Sequence, residues 1–260
     1  MPVDVIAGSS PLILTFSHAG TEIPQSIHAR LNATGCCLTD TAWHVDRLYR
    51  SVVQDVTVVR ANYHRYVCDV NRDPDGKSLY PGRFTTGFVP LTTLDGDPIW
   101  HNPPGTKEAA TWRSAFHAPY HAAISAQIAR VRAKHGFAIL YDCDATRSHI
   151  PKLFEHTLPD FSIGTFMGTT CDHKITAQIA SICMKAPNYT SVVNGRFTGG
   201  WSTRRHGNPK LGVHALQMDL AQSTYLTEER DPWLYDEAKA APLRKVLADV
   251  LGYLQDWRPA

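Results

Sequence analysis

Asp142, Cys143, Asp144, Arg147 and His149 follow directly on the apolar run Phe137 to Tyr141, which reads as a buried strand. Carboxyls and imidazoles carry protons and bind cations, a guanidinium grips anions, and a thiol can act as a nucleophile. In an open α/β sheet, ligands bind just beyond the carboxyl ends of strands, so this stretch is placed for chemistry. An Asp at such a corner also caps turns and helices, and position alone leaves both roles open. Ser17-His18-Ala19-Gly20 repeats the arrangement behind the run Pro11 to Phe16, with Gly20 permitting a tight turn after the imidazole. Asp46 stands between His44 and Arg47 on a segment predicted to be helical from an Asp40 N-cap. It reads either as a functional carboxylate or as half of a surface ion pair with Arg50.

Arg65, Asp69, Asn71 and Arg72 make an anion-handling set, in which Asp69 holds one guanidinium in place. The turn sequence Asp73-Pro74-Asp75-Gly76 follows it. Residues 78–104 are rich in Gly, Pro and Thr, a long loop of the kind that forms a lid. His117 and His121 have the i,i+4 spacing of a helical metal pair, but no Glu stands beside them as in a zincin, so they read as pocket-lining or structural. Arg196 is framed by Asn194-Gly195 and Gly199-Gly200, which permit close backbone approach to a ligand. Gln217 and Asp219 share one face of the predicted strand Val213 to Leu220.

These residues need strands that end together. The runs Pro11–Phe16, Val56–Ala61, Phe137–Tyr141, Ser191–Val193 and Val213–Leu220 read as strands. Helices are expected from Ile23 to Leu31, from about Lys107 to His135, from Asp172 to Ala186, and within Pro232–Trp257. The alternation predicts an α/β fold: a three-layer sandwich around a central mixed sheet, with residues 1–260 as one domain. At 43% hydrophobic and 19% charged, the chain can bury a large core and is not a disordered protein. A net charge of +2 gives no global attraction to nucleic acid or membrane, and no apolar run reaches the length of a membrane span. Six Cys without a C-x-x-C pair, behind an N-terminus lacking signal-peptide character, predict a cytoplasmic protein.

Together, Ser17-His18-Ala19-Gly20, Trp43 to Tyr49, Asn71 to Gly76, Asn194-Gly195-Arg196-Phe197 and Gly212-Val213-His214-Ala215 resemble the N-formylglutamate amidohydrolase family, in order, from about residue 11 to 228. The resemblance implies a zinc-exopeptidase-like and aspartoacylase-like fold. It implies metal-dependent hydrolysis of the formyl amide of N-formylglutamate, or of a related acidic N-acyl amino acid, a reaction of histidine breakdown. It also implies a divalent metal, zinc with manganese as the alternative, held by His18, Asp46 and Asp144. By the same resemblance Asp219 is the base, and Asn71 and Arg65 act on the carbonyl. Arg72, Arg83, Arg147, Arg196 and Arg204 bind the carboxylates of the small-molecule substrate.

Several site segments depart from the family pattern. Asp142-Cys143-Asp144-Ala145 stands for Asp-x-His-Ser, Asp219 for Glu, Met167 for Asp and Arg83 for Gln. One His with two carboxylates favours weaker binding or manganese, unless His149 folds back to compensate. Met167 and Arg83 imply a more apolar and more cationic pocket. A non-catalytic binder of acidic ligands is the alternative reading. A cysteine hydrolase using Cys143 is a third, weakened by the lack of a His-Asp relay.

Overall fold

The computed structural model describes residues 1–50 and 52–259. In chain order the strands are β1 (Val3–Ile6), β2 (Leu12–Phe16), β3 (Thr57–Ala61), β4 (Ala138–Thr146), β5 (Phe161–Gly164), β6 (Ser191–Val193) and β7 (Val213–Ala221). The α-helices are α1 (Gln25–His28), α2 (Ala33–Cys36), α3 (Val45–Tyr49), α4 (Thr106–Trp112), α5 (Ala118–His135), α6 (His173–Lys185), α7 (Trp201–His206) and α8 (Glu237–Asp256). The strands form one mixed sheet in the order β1-β3-β2-β4-β7-β5-β6. Four neighbouring strands, β3, β2, β4 and β7, run parallel; β1 and β5 are antiparallel to their inner neighbours.

The centre is parallel because its strands are buried on both faces, which a continuous apolar run such as Leu12–Phe16 satisfies. On one face Tyr141, Cys143, Leu216 and Met218 pack with α3, α6 and α8, whose Leu243, Leu247, Val250, Leu251 and Leu254 form a helical stripe. On the other, Ile13, Leu140 and Ala215 meet Tyr120, Ile124, Ile128 and Val131 of α5. This is the predicted three-layer α/β arrangement. Among the described residues no helix is long and apolar enough to cross a membrane.

Several elements differ from expectation. The strand predicted to stop at Tyr141 continues to Thr146, so Asp142, Asp144 and Thr146 alternate along β4 with Cys143 and Ala145 rather than following it. The helix predicted from Asp40 begins at Val45, behind His44 in a left-handed conformation (φ 58°). Asp40 instead is buried, where it accepts hydrogen bonds from Tyr66 Oη and the Leu94 amide, both at 2.9 Å. The long helix before β4 exists but carries one π-helical turn, Arg113–His117, immediately before Pro119 in the first turn of α5. The four-residue strands β1 and β5 and the short α7 have too little sequence for a periodicity to show.

Candidate active site

The carboxyl ends of β2, β4 and β7 lie side by side, and their register decides the site. Asp142 pairs with Gln217, and Asp144 with Asp219. Four polar side chains therefore project from neighbouring strands onto one face, next to Ser17 and His18 behind β2. The segment 65–72 crosses these ends and adds Arg65, Asp69, Asn71 and Arg72. A small cavity of about 30 Å³ lies among His18, Arg65, Arg72, Asp144, Arg196, Gln217 and Asp219. That is room for one or two water molecules.

His18 is the hub. Its Nδ1 meets Asp144 Oδ2 at 2.9 Å and its Nε2 meets Asp69 Oδ1 at 2.8 Å, with all three side chains buried. Burial and the Arg65 guanidinium push the imidazole pKa down, but Asp144 and Asp69 outweigh them and raise it to about 9. Asp69 also accepts Arg65 Nη2 at 2.5 Å and the Asn71 amide at 2.9 Å. Burial alone would raise its pKa; Arg65, His18 and Arg72 together hold it well below the usual carboxylate range.

The paired strands carry a second effect. Burial, then the charge of Asp144, pushes Asp219 well above the usual carboxylate range, because two carboxylates on adjacent strands ionise together only at high cost. Asp219 Oδ2 accepts from Thr146 Oγ1 at 3.2 Å and Gln217 Nε2 at 3.4 Å, while Oδ1 is buried without a partner. Asp142 behaves similarly, raised to about 7 by burial and Asp144, but its oxygens are taken by Thr15 Oγ1 at 2.7 Å and Asn71 Nδ2 at 2.8 Å. Asp142 is thus a support and Asp219 the open carboxyl.

The arginines separate into two groups. Arg65 has a buried Nε without a partner, and Arg196 a buried Nη1 without one, although its other nitrogens donate to Leu153 O at 2.8 Å and Phe84 O at 2.7 Å. Arg72 donates to Thr86 O at 3.1 Å and Asn71 O at 3.3 Å, and lines both the inner cavity and an outer groove with Lys77 and Arg83. Arg204 and Arg147 do not line the inner cavity, in contrast to expectation. Arg204 donates to Gly199 O, Leu79 O and Thr198 Oγ1 at 2.8 to 3.0 Å, which ties the loop to the entry of α7. Arg147 is held by Asp95 and, at 3.5 Å, by Asp40. Exposed Arg83 lies in the outer groove and away from the inner cavity.

Other expected residues are placed differently. Asn71 lines the cavity as expected, but its amide is used up: Nδ2 donates to Asp142 and, at 3.3 Å, to Ser17, while Oδ1 accepts the Ser202 amide at 2.9 Å. A Cβ at Gly200 would lie 2.4 Å from this Oδ1, so the close packing of α7 on Asn71 requires glycine there. Asp46 does not join His18 and Asp144. It is half-buried at the start of α3, ion-paired with Arg60 Nε at 3.2 Å instead of Arg50. His149 is exposed and Met167 is 71% exposed, so neither reaches the cavity. Cys143 points into the apolar face, where burial pushes its thiol pKa well up, against a nucleophilic role.

Thr146, which was not anticipated, and the two histidines read as pocket-lining or structural complete the support. Thr146, two positions after Asp144, holds Asp219 and would have been legible had the strand been extended. His117 and His121 back the site segment: His117 Nε2 donates to Arg72 O at 3.2 Å and His121 Nε2 to Val70 O at 2.8 Å. His206 Nε2 then donates to His121 Nδ1 at 3.0 Å. A larger groove of about 770 Å³ between α6 and α8 holds Lys185 and Lys245 but none of these strand-end groups.

The expected metal does not fit this donor set. Both nitrogens of His18 face carboxylates, Asp46 lies elsewhere, and among the described residues no three His, Cys, Asp or Glu side chains are arranged to hold a cation.

A sequence model of the N-formylglutamate amidohydrolase family matches residues 10–226. N-formylglutamate deformylase of Pseudomonas aeruginosa is 39% identical over 253 residues, covering 96% of this chain and 94% of that one. The enzyme of the same name from Pseudomonas putida is 39% identical over 254 residues, with the same coverage. Among solved structures, an N-formylglutamate amidohydrolase from Ralstonia eutropha superposes with a TM-score of 0.81 at 21% identity, covering 98% of this chain and 97% of that one. A protein from Agrobacterium tumefaciens reaches 0.72 at 18% identity, covering 96% and 93%. The two structural likenesses speak for the fold.

Proposed function

The chain belongs to the N-formylglutamate amidohydrolase family, and from that premise we propose that it hydrolyses the formyl amide of N-formylglutamate or of a closely related acidic N-acyl amino acid. The observation that carries this reading is the Asp144–Asp219 pair at the cavity floor. Asp219, pushed above the usual carboxylate range by burial and Asp144, keeps one oxygen without a partner beside Asp144, which is paired with His18. Such a pair handles both protons of an amide hydrolysis. The oxygen of a water adds to the formyl carbon and the C–N bond breaks. The pair accepts a proton from the water, and Asp219 gives one to the leaving nitrogen, so formate and the free amino acid result. Arg72, with Lys77 and Arg83 in the outer groove, supplies the positive charge that two substrate carboxylates need.

The test is formate and glutamate release from N-formylglutamate, run beside N-acetyl and N-carbamoyl analogues. Activity on the formyl compound, lost by a factor of about 10² or more in Asp219→Asn, is the expected result. Binding of these compounds without any turnover, or turnover indifferent to Asp219, would overturn the reading; the first outcome would make the chain a binder of acidic ligands.

A further inference from the structure

A carboxylate offers lone pairs and no proton. The contacts of Asp144 and Asp69 with the two ring nitrogens of His18 therefore each place a hydrogen on the imidazole, and neither nitrogen keeps the lone pair that a metal ion requires. The two acids are themselves engaged. Asp69 takes Arg65 Nη2 and the Asn71 amide, and Asp144 takes the Ala145 amide at 2.9 Å and Gln217 Nε2 at 3.4 Å. Freeing His18 for a cation would strip a partner from both buried carboxylates at once. Beside this chain of charges stand two buried donors without acceptors, Arg65 Nε and Arg196 Nη1, on residues that line the same cavity. An N–H left unpaired in a buried site is costly unless a ligand oxygen meets it.

We propose that Asp69, His18 and Asp144 form an ion triad that closes the cavity floor in place of a bound divalent cation, and that Arg65 and Arg196 face the acyl oxygen. The first half stands on the side-chain geometry alone; the second rests on the hydrolysis proposed above. As water adds to the formyl carbon, the oxygen gains negative charge and the two guanidinium N–H groups meet it. They keep their protons throughout, since a guanidinium does not deprotonate in a protein. Every proton that moves then passes through the Asp144–Asp219 pair.

The experiment uses the full chain produced with zinc and manganese in the medium. Its metal content is measured by mass spectrometry, zinc and manganese are each titrated into it by calorimetry, and the histidine ring nitrogens are read by ¹⁵N NMR. The expected result is metal far below one per chain and no saturable site for either ion. Protons are expected on both ring nitrogens at pH 7, in signals that His18→Gln removes. Asp144→His, which supplies a nitrogen donor and breaks the triad, is expected to gain zinc binding; should it not fold, the wild-type measurements decide. One metal per chain that His18→Gln loses, or a ring nitrogen without its proton, would overturn the triad. For the acyl-oxygen role, Arg65→Lys and Arg196→Lys are expected to lower kcat about tenfold or more with smaller changes in KM. A change confined to KM would overturn that role. A metal-free, doubly protonated His18 in a protein without turnover would leave the triad standing and sink the hydrolysis. Turnover that tracks stoichiometric metal would do the reverse.

Discussion

Burial and the neighbouring Asp144 keep a proton on Asp219 at pH values where an unfolded Asp has lost it, so this side chain titrates against the fold. The folded pKa lies above the unfolded one. Its contribution to stability is therefore greatest below the ordinary Asp range and declines as pH rises toward the folded value. Asparagine keeps the shape and carries no charge. Asp219→Asn should melt at a higher temperature than the wild type, with a gap that is small near pH 4 and widens toward pH 8. The same change should abolish turnover, the trade-off expected where a site stores unfavourable electrostatics. Calorimetry at the two pH values checks it, and a lower melting temperature at pH 8 would remove the argument. Asp69 is the opposite case. Its charge is held by Arg65, His18 and Arg72, so Asp69→Asn should cost about 3–5 kcal/mol by leaving buried cations underpaired.

At the scale of elements, the loop 78–104 is fastened by arginines whose sequence context suggested ligands. Arg204 donates to Leu79 O from one side of the loop and to Gly199 O and Thr198 Oγ1 on the other, and Arg196 donates to Phe84 O. A guanidinium in a Gly-rich frame is legible as something aimed; whether it aims at a substrate carboxylate or a backbone carbonyl depends on a loop far away in sequence. Arg204→Lys should lose most of this fork, since a single ammonium cannot span three acceptors. Amide exchange in residues 79–86 should speed up about tenfold, as the loss of one or two net hydrogen bonds implies, while β4 and β7 stay protected. Uniform acceleration would mean that the tether is global. The strands follow the same logic of what a sequence displays. β2, β3 and β7 were legible because their apolar content is dense or alternates. The second half of β4 was hidden because its inward polar residues look like a loop, and a strand that ends in an active site breaks the pattern by which strands are recognised.

Across the whole molecule, buried histidines add to the pH dependence of the fold, and they pull in opposite senses. His64, His117, His121, His206 and His214 are each pushed below the usual imidazole value, first of all by burial, His206 to about 4. An unfolded chain binds protons at these five positions below about pH 6.5 while the native state does not, so each lowers stability as pH falls. His18, raised to about 9, contributes stability that is complete below about pH 6.5 and disappears as pH climbs through 9. Among these imidazoles, one acts on the alkaline side and five on the acid side. The part of the stability that the histidines set should therefore peak near the free imidazole pKa, falling below pH 6 and declining above pH 7, where the decline adds to that from Asp219. The His18 share of the alkaline limb amounts to about 3 kcal/mol for a shift of this size. Thirteen histidines in the chain announce that pH matters, but the sign of each needs its partners: Asp69 and Asp144 come from segments 51 and 126 residues away from His18. Urea midpoints between pH 5 and 9.5 measure both limbs. His18→Gln should lessen the alkaline one and leave the acid one in place, and an alkaline limb unchanged in that variant would place the titrating group elsewhere.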